Sequence, residues 1–219
     1  MKTPLSGRRR LRPRARAGVP AASASRSLPA PRAPARTRAG EAALDPELAA
    51  RVRTQSYAPG PRIEGVEFHP LERFVDDGGS FLELARLNSG HLAAAPGFEV
   101  RQISCSFLLP GTLKAFHLHL RQAELWFVPP EARLLVGLVD SRGGSPTARV
   151  SMRFVLGDGQ ARLLYIPAGV AHGVANKSGA PAPLFYFADR QFDPHPARCD
   201  EKRLPWDLLG ADFWERGRG

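Results

Sequence analysis

From about residue 61 onward, apolar residues fall in short runs separated by turn-forming residues. The segments 66–68, 81–87, 98–109, 113–120, 124–128, 134–139, 150–156, 162–166, 173–175 and 184–188 read as strands. Between them, Asp76-Asp77-Gly78-Gly79, Ser141-Arg142-Gly143-Gly144 and Gly157-Asp158-Gly159 offer residue types that tolerate positive φ or close tight turns. Helical spacing is scarce and is confined to 46–53 and a short piece within 206–213. Many short strands with frequent turns predict an all-β domain over about 60–215, a barrel or sandwich such as a jelly roll. No internal repeat is present.

Along 114–120, alternation places His117 and His119 on one face, because strand side chains repeat with period two. Phe116, Leu118 and Leu120 take the opposite face, so this strand is expected to be covered on both sides. Lys114 shares the face opposite His117 by the same count. Glu124 follows a turn, and His172 arrives from a distant segment. Three imidazoles and one carboxylate that meet in this way suit either a metal or acid/base chemistry. Trp126 and Phe127 are expected in the core. Trp206 and Trp214 are expected to pin the C-terminal segment.

The high isoelectric point misleads about partners. Residues 1–40 hold eleven Lys/Arg and no acidic residue, whereas the other 20 basic and all 21 acidic residues fall in 41–219. The folded part is therefore near neutral, and nothing in it implies nucleic acid. The Arg/Pro/Ala-rich tail, residues 1–54, has too little apolar surface to order itself. An inert tail or an early start is the expectation; a transit peptide or an RNA- or membrane-binding arm are the alternatives. Cys105 and Cys199 form no CxxC pattern and are expected as isolated thiols. No apolar run reaches the length of a membrane span, and the expected location is the cytoplasm.

Gly111-x5-His117-x-His119-x4-Glu124 and Pro167-x-Gly169-x2-His172-x3-Asn176 resemble the two motifs of the cupin superfamily, with Glu131 and Ala161 where glycines usually stand. A closer likeness runs in order through 79–83, 100–106, 111–117, Ser145-Pro146-Thr147, Ile166-Pro167-Ala168-Gly169-Val170-Ala171-His172-Gly173 and Leu204-Pro205-Trp206-Asp207. In these segments the chain resembles the dTDP-4-dehydrorhamnose 3,5-epimerases. That resemblance implies a homodimeric cupin jelly roll that acts without a metal on a nucleotide-linked 4-keto-6-deoxy sugar, as in rhamnose biosynthesis. The ketone acidifies the neighbouring C3 and C5 hydrogens, one face of the ring is deprotonated and the other reprotonated. By position His117 would be the base and Tyr186 the acid. His172 and Lys114 would stabilise the oxyanion, with Phe81, Glu83, Gln102 and His119 near the substrate.

The departures define the alternatives. Gly78 stands where the family carries an arginine, and Glu124 where it carries the lysine facing the enolate. An anion about 4 Å from an enolate costs on the order of 4 kcal/mol at an effective dielectric near 20. The family's acidic partner for the histidine base comes from a longer C-terminal segment, which this chain is expected to lack. The same departures make a metal-cupin set of His117, His119, Glu124 and His172, suited to Fe, Mn, Ni, Cu or Zn. The leading expectation is thus an isomerase of a nucleotide-diphosphate sugar needing no cofactor. A metal-dependent oxygenase or small-molecule isomerase, and a non-catalytic sugar-nucleotide binder, are the alternatives.

Overall fold

A computed structural model of the chain describes residues 44–216; the expectations for residues 1–43 lie outside the described residues. The chain divides into two units, with the boundary between Gln55 and Ser56. In the first, Asp45 caps helix α1 (Pro46–Ala49) by accepting from the Glu47 N–H at 2.9 Å, with Pro46 in the first turn. Only one turn forms of the helix expected over 46–53. None of its residues is buried, so no packing offsets the cost of extension.

The second unit holds β1 (Glu67–Pro70), β2 (Arg73–Asp76), β3 (Gly79–Leu82), β4 (Leu87–Asn88), β5 (His91–Leu92), β6 (Ala95–Glu99), β7 (Gln102–Leu108) and β8 (Leu113–His119). It continues with β9 (Glu124–Phe127), β10 (Arg133–Asp140), β11 (Ser151–Gly157), β12 (Arg162–Ile166), β13 (Val170–Ala175), β14 (Ala182–Ala188) and β15 (Glu201–Arg203). Two antiparallel five-stranded sheets form, ordered β1-β12-β9-β14-β7 and β11-β10-β13-β8-β15. They remain two sheets and do not close into a barrel, which gives the sandwich form of the jelly roll. A separate β2–β3 hairpin and a β4-β5-β6 meander complete the unit. The expected strand over 81–87 is interrupted after Leu82, and that over 98–109 at residues 100–101.

Three apolar layers explain why some strands read as unbroken hydrophobic runs. Trp126, Leu164 and Leu184 of the first sheet meet Val136, Leu138 and Val174 of the second in a central core. The back of the first sheet, with Leu125, Phe127 and Phe187, is covered by Leu92, Ala95 and Phe98. The back of the second, with Phe116, Leu135 and Ala171, is covered by Trp214. Strands β9 and β13, covered on both faces, are therefore buried at every position.

The Trp214 cover requires glycine beneath it. Gly137 pairs with Gly173 across β10 and β13. A Cβ on Gly137 would come within 2.6 Å of the Phe213 and Trp214 rings, and one on Gly173 within 2.4 Å of the Ala115 Cβ. Trp214 donates its indole N–H to the Trp206 carbonyl at 2.9 Å. Trp206, 48% exposed as a residue, contributes that carbonyl and is not in the buried core, contrary to the expected pinning role. The C-terminal helical expectation resolves into turns and a short 3-10 helix, Ala211–Trp214.

One irregularity sets the geometry of the site. β13 and β8 pair His172 with His117 but Val174 with Lys114, so β8 carries one extra residue there. Simple alternation breaks at the bulge, and Lys114 comes to the same side as His117. The second motif is tied to the first as well: the Gly169 N–H donates to the His119 carbonyl at 2.7 Å.

At the end of β10, Asp140 is 1% exposed and accepts from the Arg142 Nε at 2.8 Å, the Ser145 hydroxyl at 2.6 Å and the Thr147 hydroxyl at 2.7 Å. The Arg142 hydrogen bond, partly opposed by burial, and the two hydroxyls hold its carboxyl well below the usual carboxylate range.

Two outcomes are expected. Gly173→Ala, which forces the Ala115 contact, should cost about 1–3 kcal/mol by thermal or chemical unfolding. Asp140→Asn should lower the Tm by about 6–12 °C near neutral pH, from the loss of charged hydrogen bonds on the order of 3 kcal/mol. A carboxyl with a depressed native pKa contributes stability above its unfolded value, so the gap between variant and parent should narrow as pH falls below about 4.

Candidate active site

A cavity of about 520 Å³ opens between the two sheets. The second sheet presents Lys114, His117, His119 and His172 to it, and the first presents Gln102, Glu124, Trp126 and Tyr186. Tyr186 faces the cavity from β14 with Leu184 and Ala188 on the same face, while Phe185 and Phe187 turn to the outer layer. Gln102 is held in place as its Oε1 accepts from the Phe192 N–H at 2.9 Å.

Two expected substrate contacts are not gathered. Phe81 is 66% exposed on the β2–β3 hairpin, beside Phe74. Glu83 follows it and pairs with Arg86 at 2.8 Å. The tight turn 76–79, in which the Gly78 N–H donates to Asp76, folds these strands onto each other rather than onto either large sheet. Asn176 of the second motif is structural. Its amide donates to the Leu108 and Ala180 carbonyls, both at 2.8 Å, and so locks the turn after β13.

Glu124 is 5% exposed and is held by its own strand and the turn before it. The Trp126 indole N–H donates to one carboxylate oxygen at 2.6 Å, and Gln122 donates to the other at 2.8 Å. His119 Nε2 lies 3.3 Å from Glu124, and His172 Nε2 lies 3.6 Å from it. Burial would raise the Glu124 pKa, but the His119 hydrogen bond and the two neighbouring imidazoles outweigh that and bring it to about 2. Burial likewise works against a charged His119, yet the hydrogen bond and charge of Glu124 raise its pKa overall. His172 is shifted the other way, chiefly by burial.

His117 stands apart from this group. Its Nδ1 is 3.3 Å from Glu201, while Arg203 donates to its Nε2. Glu201 also accepts from Arg203 at 2.7 Å. With a donor at Nε2, the neutral ring carries its proton on Nδ1, toward Glu201. Burial, then the Arg203 charge, pushes the His117 pKa down to about 4. The metal set expected from sequence is corrected accordingly: His119, Glu124 and His172 converge, with ligand atoms within 4.8 Å of one another, and His117 does not join them.

Glu201 and Arg203 were not singled out by sequence, and Glu201 gives His117 an acidic neighbour other than the family partner expected to be lacking. They lie on β15, whose Glu-Lys-Arg run has no apolar alternation to announce a strand. Its placement is fixed at both ends. The Asp200 carboxylate accepts from the N–H groups of Leu120, Arg121 and Gln122, and Leu204 exchanges backbone hydrogen bonds with Phe116. Residues 201 and 203 are two apart and so reach the cavity on one face.

A family model described as dTDP-4-dehydrorhamnose 3,5-epimerase matches residues 61–207. The spore coat polysaccharide biosynthesis protein SpsL of Bacillus subtilis is 37% identical over 145 residues, 66% of this chain and 91% of that protein. A probable low-salt glycan biosynthesis epimerase, Agl13 of Haloferax volcanii, is 30% identical over 147 residues, 67% of this chain and 90% of its own. Among solved structures, a dTDP sugar isomerase from Desulfovibrio desulfuricans superposes with a TM-score of 0.57 at 28% identity, over 71% of this chain and 91% of that one. NovW of Streptomyces spheroides, a 4-keto-6-deoxy sugar epimerase, gives 0.59 at 26% identity over 75% and 82%. The two-sheet architecture, the paired motifs on β8 and β13, and a match that runs through both agree, and the chain belongs to the dTDP-4-dehydrorhamnose 3,5-epimerase family, which makes it a sugar epimerase of the isomerase class.

Proposed function

We propose that this chain inverts a carbon next to the ketone of a nucleotide-diphosphate 4-keto-6-deoxy sugar, with His117 as base and Tyr186 as acid. The observation that carries this reading is their placement: the imidazole and the phenol line one cavity from opposed sheets. A ring bound between them is open to proton removal on one face and proton return on the other, which is what inversion requires.

The residues divide the work. His117 takes the proton at Nε2, and Glu201 at Nδ1 favours the imidazolium that results. Arg203 covers Nε2 in this structure, and an anionic oxygen of the substrate competes for the same guanidinium. Moved to that oxygen, Arg203 uncovers the base and meets the developing enolate with positive charge. Lys114 adds a second cation on the same wall, brought there by the bulge. Gln102 and His119 line the same cavity, and the reading assigns them contacts to the sugar.

The reading includes a homodimer. Phe74, Val75 and Phe81 on the hairpin, and Ile103 and Phe107 on the edge strand β7, are large apolar side chains more than half exposed. A two-fold pair of chains would bury such surfaces. Phe81 and Glu83 would then serve as substrate contacts from the dimer rather than from their own cavity. The free thiols of Cys105 and Cys199 and a nucleotide-sugar substrate favour the cytoplasm. Among the described residues, no helix is long and apolar enough to cross a membrane. The Arg/Pro/Ala-rich tail remains proposed as dispensable for folding.

With a dTDP-4-keto-6-deoxy sugar in deuterated water, NMR should show solvent deuterium entering C3, C5 or both. His117→Asn should slow this by about 10²–10⁴-fold. Tyr186→Phe should abolish the inverted product while leaving deuterium exchange on the His117 side. Nucleotide-sugar binding with no exchange, at high protein concentration, would replace the enzyme by a binder. Sedimentation of the full chain should give the mass of two copies.

A further inference from the structure

His172 and Glu124 face each other with acceptors. The His172 Nδ1 lies 3.1 Å from the Val170 carbonyl, so that nitrogen carries the proton and Nε2 keeps its lone pair. The lone pair points at Glu124 Oε2 across 3.6 Å, a separation too long for a hydrogen bond. Two buried acceptors at this distance repel unless a proton or a metal ion stands between them. His119 Nε2 approaches the other carboxylate oxygen at 3.3 Å.

The donor set fits a divalent transition metal. Two imidazole nitrogens and a carboxylate oxygen arrive from β8, β13 and β9, all within 4.8 Å of one another. Bonds of about 2.0–2.2 Å to such an ion place neighbouring ligand atoms about 3.0–3.5 Å apart, near the two imidazole–carboxylate separations of 3.3 and 3.6 Å. The supports that metal ligands need are in place for His172 and Glu124, whereas the His119 Nδ1 is buried without a hydrogen-bond partner. Val170 fixes the His172 ring, and Trp126 and Gln122 hold the two oxygens of Glu124 at 2.6 and 2.8 Å. His117 stays outside, occupied by Glu201 and Arg203, with its ring centre 6.1 Å from that of His172.

We propose that His119, Glu124 and His172 bind one divalent transition-metal ion, that His117 is not among its ligands, and that the bound charge takes the place of the lysine which Glu124 replaces. When bound, the ion would supply Lewis-acid stabilisation to the ketone oxygen. Glu124 neutralises only one of its two charges, so the wall of the cavity changes from anionic to cationic. His117 keeps its lone pair for proton transfer. This catalytic role rests on the epimerase reading; the binding site does not.

The test uses the full chain without a histidine tag, stripped with EDTA, dialysed and titrated with cobalt(II) chloride. One equivalent should bind with visible d–d absorption and raise the Tm by about 5–10 °C at saturation. Zinc should displace it. Glu124→Gln and His172→Gln should each weaken cobalt binding by at least about 100-fold, whereas His117→Asn should hold it within about threefold. Wild-type binding no tighter than in those two variants, folded by circular dichroism, would overturn the site. So would loss of cobalt in His117→Asn, a comparison that stands even if the buried-site variants fail to fold. Deuterium exchange measured on the same samples separates the two claims. Cobalt uptake without exchange sinks the epimerase reading and keeps the site; exchange without uptake does the reverse. Exchange undiminished in stripped protein overturns the ion's catalytic part.

Discussion

The extra residue in β8 opposite β13 is the constraint from which the site follows. With regular pairing, Lys114 would lie behind the sheet among the side chains that Trp214 covers. With the bulge, Lys114 and His117 share the cavity wall while Ala115 and Phe116 both stay in the outer apolar layer. That arrangement presses Ala115 onto β13, which is tolerable only because position 173 has no side chain. Gly137, across the pair, relieves the same crowding beneath the Phe213 and Trp214 rings. Packing on the back of the sheet and chemistry on its front are thus two sides of one backbone irregularity.

Charge in the cavity is sorted into two groups. Glu124 sits with His119 and His172 deep in the site, and Glu201 with His117 and Arg203 nearer the β15 edge. Buried Glu124 has His119, Trp126 and Gln122 beside its oxygens, and half-buried Glu201 has Arg203 and His117. The separation also removes a conflict visible in the bare sequence, where one histidine would have to act as both metal ligand and free base.

Much of the fold was readable because two-sided burial leaves strong marks. Segment 162–166 coincides with β12, and β9, β10 and β14 depart by a residue or two. His117 and His119 were legible from alternation, and His172 from its motif. What failed has a physical cause in each case. Lys114 was assigned to the wrong face, since a bulge alters the period without altering composition. Arg73–Asp76 and Glu201–Arg203 escaped notice because short polar strands carry no hydrophobic rhythm. Phe81 and Glu83 stand apart from these: they match a motif in order, do not line the cavity of their own chain, and stay proposed as contacts across a dimer.

β15 has an implication for how the molecule comes into being. Synthesis runs from the N-terminus, and Arg203 is made 86 residues after the histidine it meets. A nascent chain that has emerged only as far as Ala188 already contains every other strand of both large sheets. It still lacks the carboxylate and guanidinium that contact the two nitrogens of His117, along with the indole that seals the back of its sheet. In chain order, then, the frame of the site comes before its full complement of charge, and on the proposed reading β15 is the element that completes it.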